Sequence, residues 1–264
     1  MREENTLWTY HDFIKKVNEI YDIDLSLYKE AQMKRRITSL RNKNSYDNFY
    51  LYFKAIQENR TLLEEFLKRI TINVSEFFRN PRRWDVLRDK VIPTLITEKN
   101  SLTIWSAACS TGEEPYSLAI MLMESFPNIH FKILATDLDE VILKQAQEGS
   151  YHEKALKEVP KYLKLKYFTQ NNESFQVIDQ MKKHITFKKH DLLKDAYPTN
   201  VDLIVCRNVL IYFTEEAKKM IYDKLSRALI KEGVLFIGST EQIFEPNSYN
   251  LHILDTFFYQ KKYF

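Results

Sequence analysis

The sequence predicts an α/β protein: an open, doubly wound parallel sheet with helices on both faces, preceded by a small all-α domain and carrying a small β insertion. Three observations predict it. Over residues 7–72 apolar residues recur at helical spacing with no strand-like alternation. From Ser101 onward, short apolar runs alternate with longer helical stretches, the pattern of successive strand-helix-strand units. Polar residues follow directly after those runs, where an open parallel sheet binds its ligands.

The helical domain is expected over 1–72. Its apolar sets are Phe13, Val17 and Ile20; Met33, Ile37 and Leu40; Phe49, Phe53 and Ile56; and Leu63, Phe66, Leu67 and Ile70. The second domain is expected over 73–264, its linker included. Strands are expected at Leu102 to Ser106, Phe131 to Ala135, Ile185 to Lys188, Asp202 to Cys206, Val234 to Gly238 and Thr256 to Gln260. Between them, Glu113 to Phe126 places Tyr116, Ile120 and Met123 on one helical face. Glu215 to Ile230 places Met220, Leu225 and Leu229 in an amphipathic stretch closed by Gly233. Residues 149–184 are less regular and rich in Lys and Tyr; a small insertion of short strands is expected there, around Phe175 to Ile178.

Composition narrows the function classes. The 264 residues are 44% hydrophobic and 14% aromatic, which excludes disorder as the main state. No window approaches the roughly 18 consecutive apolar residues of a membrane span, and the start, MREENTLWTYHDF, lacks an apolar export core, so a cytoplasmic location is expected. Two distant cysteines, Cys109 and Cys206, suggest buried hydrophobes rather than a disulfide or thiolate site. The six histidines form no close ligand pattern, and no metal is expected. Lys plus Arg (39) barely exceeds Asp plus Glu (36), so the net charge of +3 makes no global case for nucleic acid.

The candidate chemistry sits at the strand ends. The first strand runs into Ala107-Ala108-Cys109-Ser110-Thr111-Gly112-Glu113-Glu114-Pro115, with Thr111 and Glu114 spaced as a capping box. A dinucleotide fold would place G-x-G-x-x-G there to bring bare backbone to a pyrophosphate. This turn has one glycine and two carboxylates, which would repel a phosphate and suit a cationic or zwitterionic ligand. Taken alone, Glu113 and Glu114 read equally well as helix-dipole residues. Asp137, at the end of the second strand, stands where a carboxylate accepts ribose hydroxyls, and Asp139 reads as the cap of the next helix. Asp191-Leu192 ends the third strand, positioned to accept from an adenine amine and pack on its ring. The fourth ends in Cys206-Arg207-Asn208-Val209-Leu210-Ile211-Tyr212-Phe213, a polar pair inside an apolar run. Together these imply an adenosine ligand without phosphate, carrying a positive or amino-acid portion. S-adenosylmethionine matches.

The chain resembles the chemotaxis-receptor glutamate methyltransferases of the CheR family across nearly its whole length. The words that carry the resemblance are Thr71-Ile72-Asn73-Val74-Ser75-Glu76-Phe77-Phe78-Arg79, Trp105 through Ser117, Ala135-Thr136-Asp137-Leu138-Asp139, Cys206 through Phe213, and Gly238-Ser239-Thr240-Glu241. The resemblance implies a Rossmann-like class I S-adenosylmethionine-dependent methyltransferase sheet and S-adenosylhomocysteine as product. It implies that Asn73, Ser75 and Arg79 close over the cofactor, with Arg79 on the methionyl carboxylate. Glu113 would lie on the amino-acid and ribose side, Asp137 on the ribose, Asp191 and Leu192 at the adenine, and Asn208 with Val209 near the reacting end. Tyr212 would face the target glutamate, so that Tyr212, Arg79 and Asn208 form the expected catalytic group. Without the surrounding words, Arg79 reads as a surface residue and Tyr212 as a core aromatic. Members of the family often carry Thr in place of Ser75 and Asn in place of Asp191; the Asp changes the hydrogen-bonding options at that position.

A glutamate with an ordinary pKa near 4.3 is ionised at neutral pH, so the implied reaction needs no general base. From Lys29 to Lys43 the chain carries six basic residues against one acid, Glu30, a local charge of +5. Such a stretch fits an acidic helical partner; the resemblance implies the cytoplasmic domain of a chemoreceptor, with no nucleic acid, no membrane insertion and a monomeric enzyme. Thr169 to Phe175 contains no glycine, so a receptor-tail tether is not expected. Two rival functions remain open at this point: methyl transfer to another acceptor, and a silent, cofactor-bound signalling module.

Overall fold

The computed structural model describes residues 8–71, 75–97 and 99–262. The chain forms two compact units, Met1–Ile72 with Tyr212–Lys218, and Asn73–Ile211 with Lys219–Phe264.

The first unit is built on α1 (Tyr10–Tyr21), α2 (Glu30–Lys43), α3 (Phe49–Glu58) and α4 (Arg60–Thr71). A capping box starts α1: the Asp12 amide donates to Thr9 Oγ1 at 3.3 Å, and the Thr9 amide donates back to Asp12 Oδ2 at 2.8 Å. The helices bury Phe13, Val17, Met33, Ile37, Tyr52, Phe53 and Phe66, with Phe13 stacked on Tyr52 at 5.9 Å between ring centroids. Ile20 departs from expectation and is 50% exposed. The inward face of α1 runs through Tyr10, Phe13, Ile14 and Val17, and Tyr21, four residues beyond Val17, continues it.

The second unit opens with α5 (Pro81–Val86), which continues through a π-helical turn (Leu87–Val91) into α6 (Ile92–Leu95). Then follow β1 (Ser101–Ala107), α7 (Glu113–Ser125), β2 (His130–Asp137), α8 (Glu140–Glu148), β3 (Ser150–His152), α9 (Lys161–Tyr167), β4 (Phe168–Asn171), β5 (Ser174–Val177), α10 (Asp179–Lys182), β6 (Ile185–Lys189), β7 (Val201–Cys206), α11 (Glu215–Ala228), β8 (Leu229–Ile237), β9 (Leu251–Asp255) and β10 (Phe258–Lys261). The main sheet has the order β6-β2-β1-β7-β8-β10-β9. Its first five strands are parallel, and β10 runs antiparallel to both neighbours. Trp105 of β1 sits opposite Leu134 on one side and Ile204 on the other, fully buried. Every residue of β7 is buried, which explains the apolar run Leu203–Cys206 that follows Asp202. A separate antiparallel sheet, β3-β5-β4, lies within 150–177.

The main departures from the sequence expectation lie at the start of β8 and in the hairpin that follows it. The helix after β7 ends at Ala228, and Leu229, Ile230 and Gly233 belong to β8. Its buried side is Ala217, Ile221, Tyr222 and Leu225, leaving Met220 42% exposed. Thr256 and Phe257 form the turn of a hairpin rather than a strand, with Phe257 at φ 71°, and the partner strand β9 was not anticipated. Phe258 then stacks on Phe236 at 4.2 Å, closing the hairpin onto β8.

Candidate active site

The site is assembled from the carboxyl ends of β1, β2, β6 and β7. After β1 the backbone takes three left-handed residues in five, Ala108 (φ 60°), Ser110 (φ 52°) and Gly112 (φ 93°), and folds back before α7. The Cys109 amide donates to the Thr136 carbonyl at 2.8 Å, and the Ser110 amide donates to Asp137 Oδ2 at 2.9 Å, so the turn is tied to the end of β2. Gly112 is required on two counts: its φ, and a Cβ there would lie 2.9 Å from both Ala146 Cβ and Tyr151 Oη. Tyr151, from the β insertion, donates its hydroxyl to the Thr111 carbonyl at 2.7 Å and braces the turn from outside.

The capping box expected of Thr111 and Glu114 is absent. Gly112 is the N-cap, and the Thr111 hydroxyl instead donates to Glu113 Oε2 at 2.6 Å. Glu114 is drawn away by better partners: the Ser106 hydroxyl at 2.8 Å and Arg207 Nη1 at 3.5 Å. Glu113 is 4% exposed. Burial pushes its carboxyl above the usual range, while hydrogen bonds from Thr111, its own backbone and Ser75 pull the other way.

Asp137 is also buried and accepts from the amides of Ser110 and, at 3.1 Å, Asp139. Burial raises its pKa and these amides partly offset the rise. Asp139 caps α8 as expected, accepting from Val141 at 2.9 Å and Ile142 at 3.2 Å. The His190 amide donates to the Asp137 carbonyl at 2.9 Å, which sets Asp191 and Leu192 beside the end of β2. Asp191 is half-buried, caps its own turn by accepting from Leu193 at 2.8 Å, and is raised in pKa by burial; Leu192 is buried.

On the other side, Asn208 sits at φ 59° immediately after β7. Its amide donates to Glu241 Oε2 at 3.0 Å, and the same carboxylate accepts from Gly238 at 2.7 Å, Leu210 at 2.8 Å and Ile211 at 3.3 Å. Four backbone donors thus hold the loop carrying Asn208 and Val209. A Cβ on Gly238 would lie 2.6 Å from Glu241 Oε2 and 2.7 Å from the Asn208 nitrogen, so only glycine lets the two loops meet. Arg207, 7% exposed, joins this side to the segment before α5: Nη2 donates to the Arg79 carbonyl at 2.8 Å and to Asn80 Oδ1 at 3.2 Å, and the guanidinium lies over the Phe236 ring at 4.7 Å.

Among the predicted site residues, Ser75, Arg79, Glu113, Asp137, Asp191, Leu192, Asn208 and Val209 therefore all belong to the second unit, linked through the turns at the strand ends. Asn73 lies outside the described residues. Tyr212 belongs with the helical unit, in a 3₁₀ turn (Leu210–Tyr212) that follows Asn208. The assigned set omitted Arg207, Glu114, Glu241, Tyr151 and Ser110. The Ser110 hydroxyl is buried with no hydrogen-bond partner among the described residues, a donor and acceptor left for a ligand. The signal for Arg207 was present: a charged residue directly after the apolar run Leu203–Cys206 must be paired. Glu241 stood in one of the matching words without a role. Among the described residues, no group of three or more His, Cys, Asp or Glu is arranged to hold a metal ion, and no helix is long and apolar enough to cross a membrane.

Comparison with known proteins gives the family. Residues 73–257 match the family model described as "CheR methyltransferase, SAM binding domain", and residues 9–71 match "CheR methyltransferase, all-alpha domain". The chain is 48% identical over 253 residues to a chemotaxis protein methyltransferase of Listeria innocua, covering 96% of this chain and 97% of that one. It is 37% identical over 244 residues to a chemotaxis protein methyltransferase of Borreliella burgdorferi, covering 87% and 86%. With both domains matched and such relatives aligned over almost their full length, the chain belongs to the CheR methyltransferase family.

Proposed function

We propose that this chain transfers the methyl group of S-adenosylmethionine to glutamate side chains on the cytoplasmic helices of chemoreceptors, forming glutamate methyl esters. The observation that carries the reading is the strand-end site of a CheR family chain. Buried carboxylates, Glu113 and Asp137, and a Ser110 hydroxyl with no partner among the described residues stand where a nucleotide fold would carry a phosphate cradle.

These residues fit S-adenosylmethionine, which supplies an electrophilic methyl group on a sulfonium centre. Glu113 and Ser75 would take the amino-acid and ribose side, Arg79 and Asn73 would close over the cofactor with Arg79 on the carboxylate, Asp137 would accept the ribose hydroxyls, and Asp191 with Leu192 would hold the adenine. The hydrogen bonds that fix Asp137 leave lone pairs for further donors. Asn208 and Val209 would flank the reacting end on the loop that Glu241 holds rigid, and Tyr212, four residues on, would face the acceptor. Because the acceptor glutamate is already ionised at neutral pH, the protein supplies no base. Its contribution is alignment and the exclusion of water. The exposed part of the basic helix α2, Arg35 included, would meet acidic receptor helices.

The test is methyl transfer from radiolabelled S-adenosylmethionine to a purified receptor cytoplasmic domain. Base-labile label on the receptor is expected. Base-stable label, or label on a non-receptor control alone, would refute the reading.

A further inference from the structure

The basic residues of α2 are not equivalent. Lys34 Nζ lies over the Tyr10 ring at 5.9 Å, the Arg41 guanidinium lies over the Phe49 ring at 4.9 Å, and Lys43 pairs with Glu65 at 2.6 Å. Arg36 is half-buried while its neighbour Arg35 is exposed. The Arg36 guanidinium lies over the Tyr212 ring, 4.8 Å from its centroid.

The backbone around Tyr212 is fastened to the residues that lead into the same helix. The Lys29 amide donates to the Tyr212 carbonyl at 2.8 Å, and the Thr214 amide donates to the Leu27 carbonyl at 2.9 Å. Tyr28 and Phe213 pair between these bonds as an isolated antiparallel bridge, their rings 4.7 Å apart. The main chain of Tyr212 is thus held by the α2 entrance and its ring by Arg36. A cation over the face of the ring favours this one orientation of the phenol.

We propose that Arg36 is a positioning residue for Tyr212, setting the orientation of its ring and so the place of its hydroxyl, rather than one of the receptor-binding charges of α2. The inference rests on the reading of Tyr212 as the group facing the acceptor glutamate. It divides the basic helix into an outward part that meets the partner and one arginine that serves the chemistry.

The experiment is steady-state methylation of a receptor cytoplasmic domain by the full chain carrying Arg36→Gln, Arg36→Lys, Tyr212→Phe, or Arg36→Gln with Tyr212→Phe. Calorimetric affinity for S-adenosylhomocysteine and the unfolding midpoint are measured on each. Expected for Arg36→Gln is a kcat lower by about 10- to 100-fold, with receptor KM and cofactor affinity within about twofold of wild type. Arg36→Lys, which keeps a cation over the ring, recovers part of the loss. The double variant is no worse than Tyr212→Phe. A raised receptor KM at full kcat in Arg36→Gln, or losses that multiply in the double variant, overturns the proposal. Tyr212→Phe at full kcat would overturn the reading of Tyr212 itself, and the inference with it. Should Arg36→Gln unfold, Arg36→Lys decides on the same KM-against-kcat split.

Discussion

Glu241 holds Asn208: its carboxylate accepts the Asn208 amide at 3.0 Å across 33 residues of sequence and accepts three further amides, from Gly238, Leu210 and Ile211. Burial raises the Glu241 pKa, and these amides work against the rise. Removing the carboxylate would strand several buried donors at once. Glu241→Ala is expected to cost roughly 2–4 kcal/mol, read as a lower urea midpoint at unchanged slope, and to depress kcat by loosening the loop. A change under about 0.5 kcal/mol, the range of an ordinary surface substitution, would contradict the role.

Arg207 and Glu114 form a buried pair linking the end of β7 to the first turn of α7. Removing one member leaves a buried charge uncompensated, so Arg207→Met is expected to lose about 3–5 kcal/mol. Arg207→Met combined with Glu114→Gln should recover a substantial part of that loss. Denaturation of both variants measures it; a double variant no better than the single would show that the pair is not the source.

The turn after β1 leaves no room for a side chain at Gly112. Gly112→Ala must adopt a left-handed φ and displace Tyr151 or Ala146. The expected cost is about 1–3 kcal/mol, accompanied by weaker cofactor binding in calorimetry. Equal affinity and stability would mean that the turn is not held as described.

How much of this was legible in the sequence depended on the range of the interaction. Asp139 as the cap of α8 and the apolar run of β7 are local patterns and were readable. Polar residues after apolar runs marked the strand ends because a parallel sheet buries its strands and leaves their termini to solvent or ligand. The Thr111–Glu114 capping box failed because Glu114 is won by Arg207, 93 residues away, which no local spacing reveals. The four-amide role of Glu241 is long-range in the same sense. The strand β9 was missed because His252 and Asp255 break up a short run, and its pairing with β10 becomes clear only once Phe257 is seen to turn. Counting the six basic residues of Lys29 to Lys43 as one charge was a further limit of reading charge without burial, since Arg36 is half-buried and Arg35 exposed.

Glu113 gives a pH dependence whose sign is fixed. Burial raises its folded pKa above the unfolded value, so the ionised carboxylate is a stability penalty at neutral pH. That penalty is relieved as pH falls through the raised value toward the ordinary range. The stability advantage of Glu113→Gln over wild type should therefore shrink between pH 7 and about 4.5. A ligand ammonium needs the ionised form, so the affinity of wild type for S-adenosylhomocysteine should fall over the same interval, beginning above the ordinary carboxylate range. Glu113→Gln should bind more weakly at pH 7 and show a flatter profile. A wild-type affinity that rises on acidification would contradict the assignment.

The most direct measurement is calorimetric titration of the purified chain with S-adenosylmethionine, S-adenosylhomocysteine and a nicotinamide dinucleotide at neutral pH. A site walled by Glu113 and Asp137 should bind the two adenosyl compounds and lose much of that affinity in Asp137→Ala, while the dinucleotide gives no saturable heat. Saturable binding of the dinucleotide, with no response to the adenosyl compounds, would contradict the account.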